Sequence, residues 1–278
     1  MKQFSFRFDV DTHRCAERGL PALLELAFEY KVPFTFFVNP GRSVNRLDFA
    51  RQWAQEKTRE PNTQSLSALR KLGLRDYARV SLLNPRITNY ASSLRQIDLN
   101  QHEVGLHGGS NHQNWARHAS EWSRKTLSDE VDWGKKELME VYPNLRIDGF
   151  ASPGFTSPKI LDEILYERGF KYSADLNTSN ARDTNPMDSG NLRYPLTSLF
   201  GSTAGIATVE HFTAIGMSRK DIVAKIVKQI VLVDDSLVIY DHPYFAGIEA
   251  LNVFRDLLDQ IMSLGIEIVT MRDQALAK

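Results

Sequence analysis

The chain begins Met1-Lys2-Gln3-Phe4-Ser5-Phe6-Arg7-Phe8-Asp9-Val10-Asp11-Thr12-His13. From Phe4 onward apolar and polar residues alternate, the period of a β-strand, and the run ends in two acids and a histidine. Alternate residues of an extended segment leave on one side, so Asp9 and Asp11 project together.

The pattern repeats along the chain. Strand-like runs at 3–10, 33–39, 102–107, 147–151, 171–176, 205–210, 237–241 and 266–270 are interleaved with helical periodicity at 18–30, 120–141, 157–168, 218–233 and 247–264. Such alternation predicts parallel βαβ units. Seven or eight strands in one series predict an α/β fold, a distorted (β/α) barrel. Ser218, and Ser157 followed by Pro158, mark helix starts, while Gly169 and Gly265 mark helix ends. With no repeat, linker or low-complexity tract, residues 1–278 read as one domain.

The composition narrows the function classes. Lys+Arg and Asp+Glu number 34 each, so the formal net charge is zero, which argues against a surface built to neutralise many phosphates and hence against nucleic acid as a partner. Cys15 is the only cysteine, so an internal disulfide and a multi-cysteine zinc site are both excluded, and any metal must be held by His and Asp. The start of the chain lacks the apolar core of a secretory signal, and no apolar run reaches the roughly 18 residues of a membrane span. The expected location is cytoplasmic.

One stretch departs from the βα rhythm. Residues 45–100 are too long for a connection and read as an insert on one face. Within 65–95, six cations (Arg70, Lys71, Arg75, Arg79, Arg86 and Arg95) face one anion, Asp76, among leucines at amphipathic spacing. Two readings stand: peripheral contact with an anionic membrane, or an amphipathic segment packed on the barrel with its cations in solvent.

In a parallel barrel the reacting groups gather where strands end. Four predicted strand ends carry them: Asp9-Val10-Asp11-Thr12-His13, His107-Gly108-Gly109-Ser110-Asn111-His112, Asp175, and Asp241-His242-Pro243. Asp9 and Asp11 either cap the following helix or share an ion. Two histidines joined by small residues, with a carboxylate, suit zinc or another divalent first-row ion, although loop histidines often bind nothing. His242 brings a proton tunable near neutral pH. Of the aromatics, Phe155 and Tyr244 are the candidates for stacking on a substrate.

Taken in order, Phe8-Asp9-Val10-Asp11, Thr35-Phe36-Phe37-Val38, Glu103-Val104-Gly105-Leu106-His107 with His112, Gly149-Phe150-Ala151-Ser152-Pro153-Gly154-Phe155, and Tyr240-Asp241-His242-Pro243 resemble the motifs of the NodB-homology polysaccharide deacetylases. The form Asp9-Val10-Asp11-Thr12 with Arg14 and Gly19-Leu20-Pro21 resembles the branch containing the undecaprenyl-linked formamidoarabinose deformylase. The resemblance implies metal-dependent hydrolysis of an N-acetyl or N-formyl amide on a sugar in surface polysaccharide or lipopolysaccharide synthesis. The substrate would be nucleotide- or polyprenyl-linked, and zinc is the favoured ion. It implies Asp11, His107 and His112 as metal ligands, Asp9 as catalytic base, His242 as general acid and Asp175 as the acid that orients it. An oxyanion donor is expected from a backbone N–H near Phe155, and substrate contacts from Phe155, Tyr244 and Arg193.

Two departures accompany the resemblance. The histidines are five residues apart where the family places them four apart, with Asn111 in the usual place, and Ala151 stands where the family has an arginine that positions the base. Arg193 or Arg42 are the candidates to replace that arginine. The alternatives are a catalytically impaired, carbohydrate-binding relative and a deacylase of small non-sugar amides.

Overall fold

The structure, a computed structural model, describes residues 2–44, 83–175, 177–178, 197–198, 207–232 and 237–277. Its centre is a curled parallel sheet. The strands are β1 (Gln3–Val10), β2 (Thr35–Val38), β3 (Glu103–His107), β4 (Gly149–Ala151), β5 (Tyr172–Ser173), β6 (Asn177–Thr178), β7 (Thr197–Ser198), β8 (Leu237–Asp241) and β9 (Glu267–Ile268). They follow the order β5-β4-β3-β2-β1-β8-β7-β6, with β9 paired to the start of β1. Every described pairing in the sheet is parallel, as in Asp9 opposite Phe37 and Phe8 opposite Asp241. The distorted barrel expected from the sequence is therefore present as a half-barrel of parallel strands wrapped by helices.

The described α-helices of six residues or more are α1 (Leu20–Tyr30), α2 (His112–His118), α3 (Arg124–Val141), α4 (Ile160–Glu167), α5 (Thr208–Ala214), α6 (Arg219–Leu232), α7 (Leu251–Ser263) and α8 (Met271–Leu276). Ser218 accepts the Asp221 N–H ahead of α6, and Gly169 and Gly265 follow α4 and α7 with φ of +82° and +67°. Ser157 does not cap α4. That helix begins at Ile160 behind Lys159, and the Leu161 N–H goes to the Pro158 carbonyl.

Strand β1 is buried on both faces, so its alternation separates the helix layer from the barrel interior rather than core from solvent. Phe4, Phe6, Phe8 and Val10 lie against the helices, with the Phe34, Phe36 and Phe254 rings among their neighbours. Each fully buried phenylalanine contributes roughly 1.5–3 kcal/mol. Ser5, Arg7 and Asp9 point the other way and are buried as well.

The N-terminal end of the barrel is plugged by α8. Its Met271 N–H donates to Thr35 Oγ1 (2.8 Å) and its Arg272 N–H to Glu103 Oε2 (2.9 Å). The acids and histidines singled out in the sequence lie at the other end, at the C-terminal ends of the strands.

One expected strand is a helix. The sequence pattern predicts an extended run at 205–210, yet 208–210 begin α5. Asp241 Oδ2 accepts the Val209 N–H (2.7 Å), so a buried carboxylate satisfies a donor that the helix leaves open. Of the insert, residues 45–82 lie outside the described residues. Two of the six cations of 65–95 are described, and both are engaged on α3: Arg86 pairs with Glu137 (3.0 Å), and Arg95 Nε donates to the Val141 carbonyl (3.0 Å).

Candidate functional site

Asp9 and Asp11 leave the same side of β1, but their neighbours differ. Arg7, one step below Asp9 on that face, grips both of its oxygens, Nε to Oδ1 at 2.8 Å and Nη2 to Oδ2 at 2.7 Å. Its third nitrogen donates to the Ala174 carbonyl (2.7 Å), and the Phe37, Phe155 and Tyr240 rings surround the guanidinium at 5.0, 5.0 and 5.2 Å. Burial opposes the charge on Arg7, yet Asp9, with Asp175 and Tyr240 behind it, holds its pKa above the ordinary arginine value. The two bonds from Arg7 fix the Asp9 side chain in one orientation.

Asp11 is instead ringed by imidazoles. His107 Nε2 lies 3.2 Å from its Oδ1, and His112 Nε2 and His242 Nε2 lie 3.3 and 3.2 Å from its Oδ2. Burial alone would raise the Asp11 pKa, but His112 and His107 hold it well below the usual carboxylate range. The same cluster raises His107, where burial is outweighed by Asp9 and Asp11, and raises His242 well above the ordinary histidine value, where burial is outweighed by Asp11 and Glu210. Asp11 and its histidines form a site that favours positive charge.

The donors fit a divalent ion. Ligand atoms of Asp11, His107 and His112 all lie within 4.8 Å of one another. Asp11 Oδ1 is buried without a hydrogen-bond partner. His107 Nδ1 sits 2.9 Å from the Ala151 carbonyl, which fixes the tautomer that leaves the Nε2 lone pair facing the cluster. One carboxylate and two imidazoles, with positions left over, suit zinc and its first-row neighbours.

The five-residue histidine spacing is accommodated by structure around it. Asn111 takes no place in the cluster; its Oδ1 caps α2 through the Asn114 N–H (3.0 Å), and its Nδ2 donates to the Val44 carbonyl (2.9 Å). His112 is then the first residue of α2, and its N–H donates to the Arg42 carbonyl (2.8 Å).

His242 faces the cluster from β8. Its Nδ1 lies 3.2 Å from Glu210 Oε2, which also accepts the Tyr244 hydroxyl (2.8 Å). This corrects the expectation for Asp175, whose carboxylate is instead taken up by the Ser152 N–H (2.6 Å), Ser152 Oγ (2.8 Å) and Ser173 Oγ (2.9 Å). Glu210 was missed because it fell in the segment read as a strand. Other expectations also change. Tyr244 is 3% exposed and tied to Glu210, so its ring packs on His242 instead of meeting a substrate. Phe155 packs on Arg7 and Tyr240, and its N–H is used by the Ser152 carbonyl (3.0 Å), so it is no free oxyanion donor. Arg42 directs its Nε to the Asn84 carbonyl (3.2 Å), and Arg193 lies outside the described residues. The guanidinium at Asp9 is that of Arg7, which shares the Asp9 face of β1 by simple alternation.

No protein-family model matches this sequence. Among solved structures, the chain is similar to a provisionally assigned polysaccharide deacetylase from Mycobacterium smegmatis, with a TM-score of 0.65 and 17% identity over 98% of this chain and 88% of the other. It is also similar to the chitin deacetylase of Colletotrichum lindemuthianum, with a TM-score of 0.52 and 12% identity over 99% and 87% of the two chains. A third similar structure is a CE4 family pseudoenzyme from Bacillus anthracis, with a TM-score of 0.52 and 12% identity over 99% and 65%. At these identities the likeness establishes a shared fold.

Proposed function

We propose that this protein is a metal-dependent hydrolase of an N-acyl amide on a sugar. One observation carries the reading: Asp11, His107 and His112 converge on one point, with Asp9 3.8 Å from His107 on one side and His242 3.2 Å from Asp11 on the other. The fold shared with polysaccharide and chitin deacetylases supports it.

Asp11, His107 and His112 would hold a divalent ion, zinc first among the candidates. Such an ion supplies Lewis acidity, polarising a carbonyl and lowering the pKa of a water. Asp9, its orientation fixed by Arg7, takes the proton of the attacking water as base. On the opposite side, His242 gives the Nε2 proton to the departing amine, while Glu210 anchors Nδ1 and balances the imidazolium charge. Amide cleavage needs both transfers, because water is a poor nucleophile and an amide anion a poor leaving group.

The narrower reading follows the motif resemblance: an acetyl or formyl group on a nucleotide- or polyprenyl-linked sugar, in surface polysaccharide or lipopolysaccharide synthesis in the cytoplasm. Residues 65–95 would touch an anionic membrane in the polyprenyl case. Among the described residues no helix is long and apolar enough to cross a membrane. The second reading, a catalytically impaired carbohydrate-binding relative, draws on Ala151 and on the pseudoenzyme among the similar structures. The Arg7–Asp9 grip and the arrival of His112 favour catalysis.

The test is amine release from N-acetyl and N-formyl sugars, free, nucleotide-linked and lipid-linked, with and without added zinc. Metal-dependent release is expected. No release from any of them by metal-loaded protein, together with binding of the sugar, would leave the impaired-relative reading.

A further inference from the structure

The loop between His107 and His112 is one residue longer than the resembled motif, yet both imidazoles arrive at Asp11. What holds it there lies behind it, on α3. Glu130 accepts two bonds from Ser110, the backbone N–H at 2.6 Å and the side-chain hydroxyl at 2.8 Å, both charge-assisted. One turn further along α3, Gly134 faces the same loop, and a Cβ there would stand 2.7 Å from the Gly108 carbonyl. A side chain at Gly109 would fall on Glu130 itself, and Gly108 turns with φ of +72°. Helix, carboxylate and loop are thus fitted to one another at close range.

From Ser110 the constraint passes onward. The Ser110 carbonyl accepts the Arg42 N–H (2.9 Å), and the Arg42 carbonyl accepts the His112 N–H (2.8 Å). Glu137, a further turn along α3, grips Arg86 (3.0 Å), which bridges back to Arg42. None of these groups touches the Asp11 cluster, and the reaction proposed above does not use them.

We infer that Glu130 is a positioning residue for the metal centre, setting His112 on its ligand site through Ser110. The inference rests on the metal-site reading and extends it to a residue outside the ligand set. Packing of α3 through Leu127, Val131 and Leu138 does not by itself call for a carboxylate bonded twice to a histidine loop. Supporting groups behind metal ligands typically carry 10–100-fold in metal affinity.

The test measures zinc affinity by chelator competition on full-length protein. Glu130→Ala is expected to weaken zinc about 10–100-fold, and Ser110→Ala, which keeps the backbone bond, less. In a His112→Ala background Glu130→Ala should add nothing, because its effect runs through His112. Thermal unfolding of the metal-free proteins, with Ser110→Ala as the milder variant, reports whether each is folded. Undiminished zinc affinity in folded variants, or an equal loss with and without His112, would overturn the inference alone. Absence of zinc binding by the unaltered protein would instead defeat the metal reading beneath it.

Discussion

Glu103 and His107 stand at opposite ends of the same five-residue strand and face the same barrel interior. At the plugged end, the Glu103 carboxylate accepts from the Tyr172 hydroxyl (2.6 Å), Thr35 Oγ1 (2.9 Å) and the Arg272 N–H. Burial raises its pKa, and these bonds only partly offset that. At the open end, Asp11 is half-buried, its Oδ1 has no hydrogen-bond partner, and three imidazoles stand around the carboxylate, His107 at Oδ1 and His112 and His242 at Oδ2. Both regions bury acids in a polar interior. The first is closed by neutral donors; the second is left in want of positive charge, as the proposed chemistry requires.

The largest test of that contrast exchanges the acids for their amides. Asp11→Asn should cost activity on the order of a thousand-fold or more, because the ion that acidifies water loses a ligand. Glu103→Gln should leave turnover within a few-fold and lower stability by about 1–3 kcal/mol, read by urea unfolding. Equal effects on turnover at both ends would erase the distinction.

Within the open end, Arg7 joins both roles. Arg7→Met leaves Asp9 buried beside an apolar chain and should lower stability by about 3–5 kcal/mol. Adding Asp9→Asn should recover much of that stability and none of the activity. Recovery of activity in the double variant would remove Asp9 from the role of base.

Glu210 and Asp175 separate in the same manner. Glu210→Gln should lower kcat about 100-fold with little change in KM, as His242 loses its anchor. Asp175→Asn should act mainly on unfolding, through Ser152 and Ser173. The reverse order would restore the role that the sequence suggested for Asp175.

A last effect lies outside the site and leaves turnover untouched. His102 accepts the Phe34 N–H (3.1 Å), and burial lowers its pKa from 6.5 to about 4. The unfolded chain therefore binds the proton first, so stability is full above pH 6.5 and falls as pH drops toward 4. The loss is about 3 kcal/mol at most. His102→Gln should flatten that part of the stability curve.

Much of this was legible in the residues. The phase of the Phe4–Asp11 run fixes which side chains enter the barrel, and it placed Asp9 and Asp11 correctly. It also places Arg7, since residues 7, 9 and 11 share a face, whereas Arg42 and Arg193, the arginines expected to replace the one absent at Ala151, are not shown beside Asp9. Glu210 was hidden for a different reason. Thr208 and Val209 favour extended backbone locally, and a partner 32 residues away, Asp241, decides for helix by accepting the Val209 N–H. Nor does the sequence reveal that Asn111 caps α2 and so leaves His112 to face Asp11.

The most direct measurement is X-ray diffraction from crystals grown with zinc, collected on both sides of its absorption edge. An anomalous peak at roughly 2.0–2.2 Å from Asp11, His107 Nε2 and His112 Nε2, with Asp9 and His242 outside that distance, is the predicted result. Zinc bound elsewhere, or none at these three residues in protein that releases amine, would contradict the account.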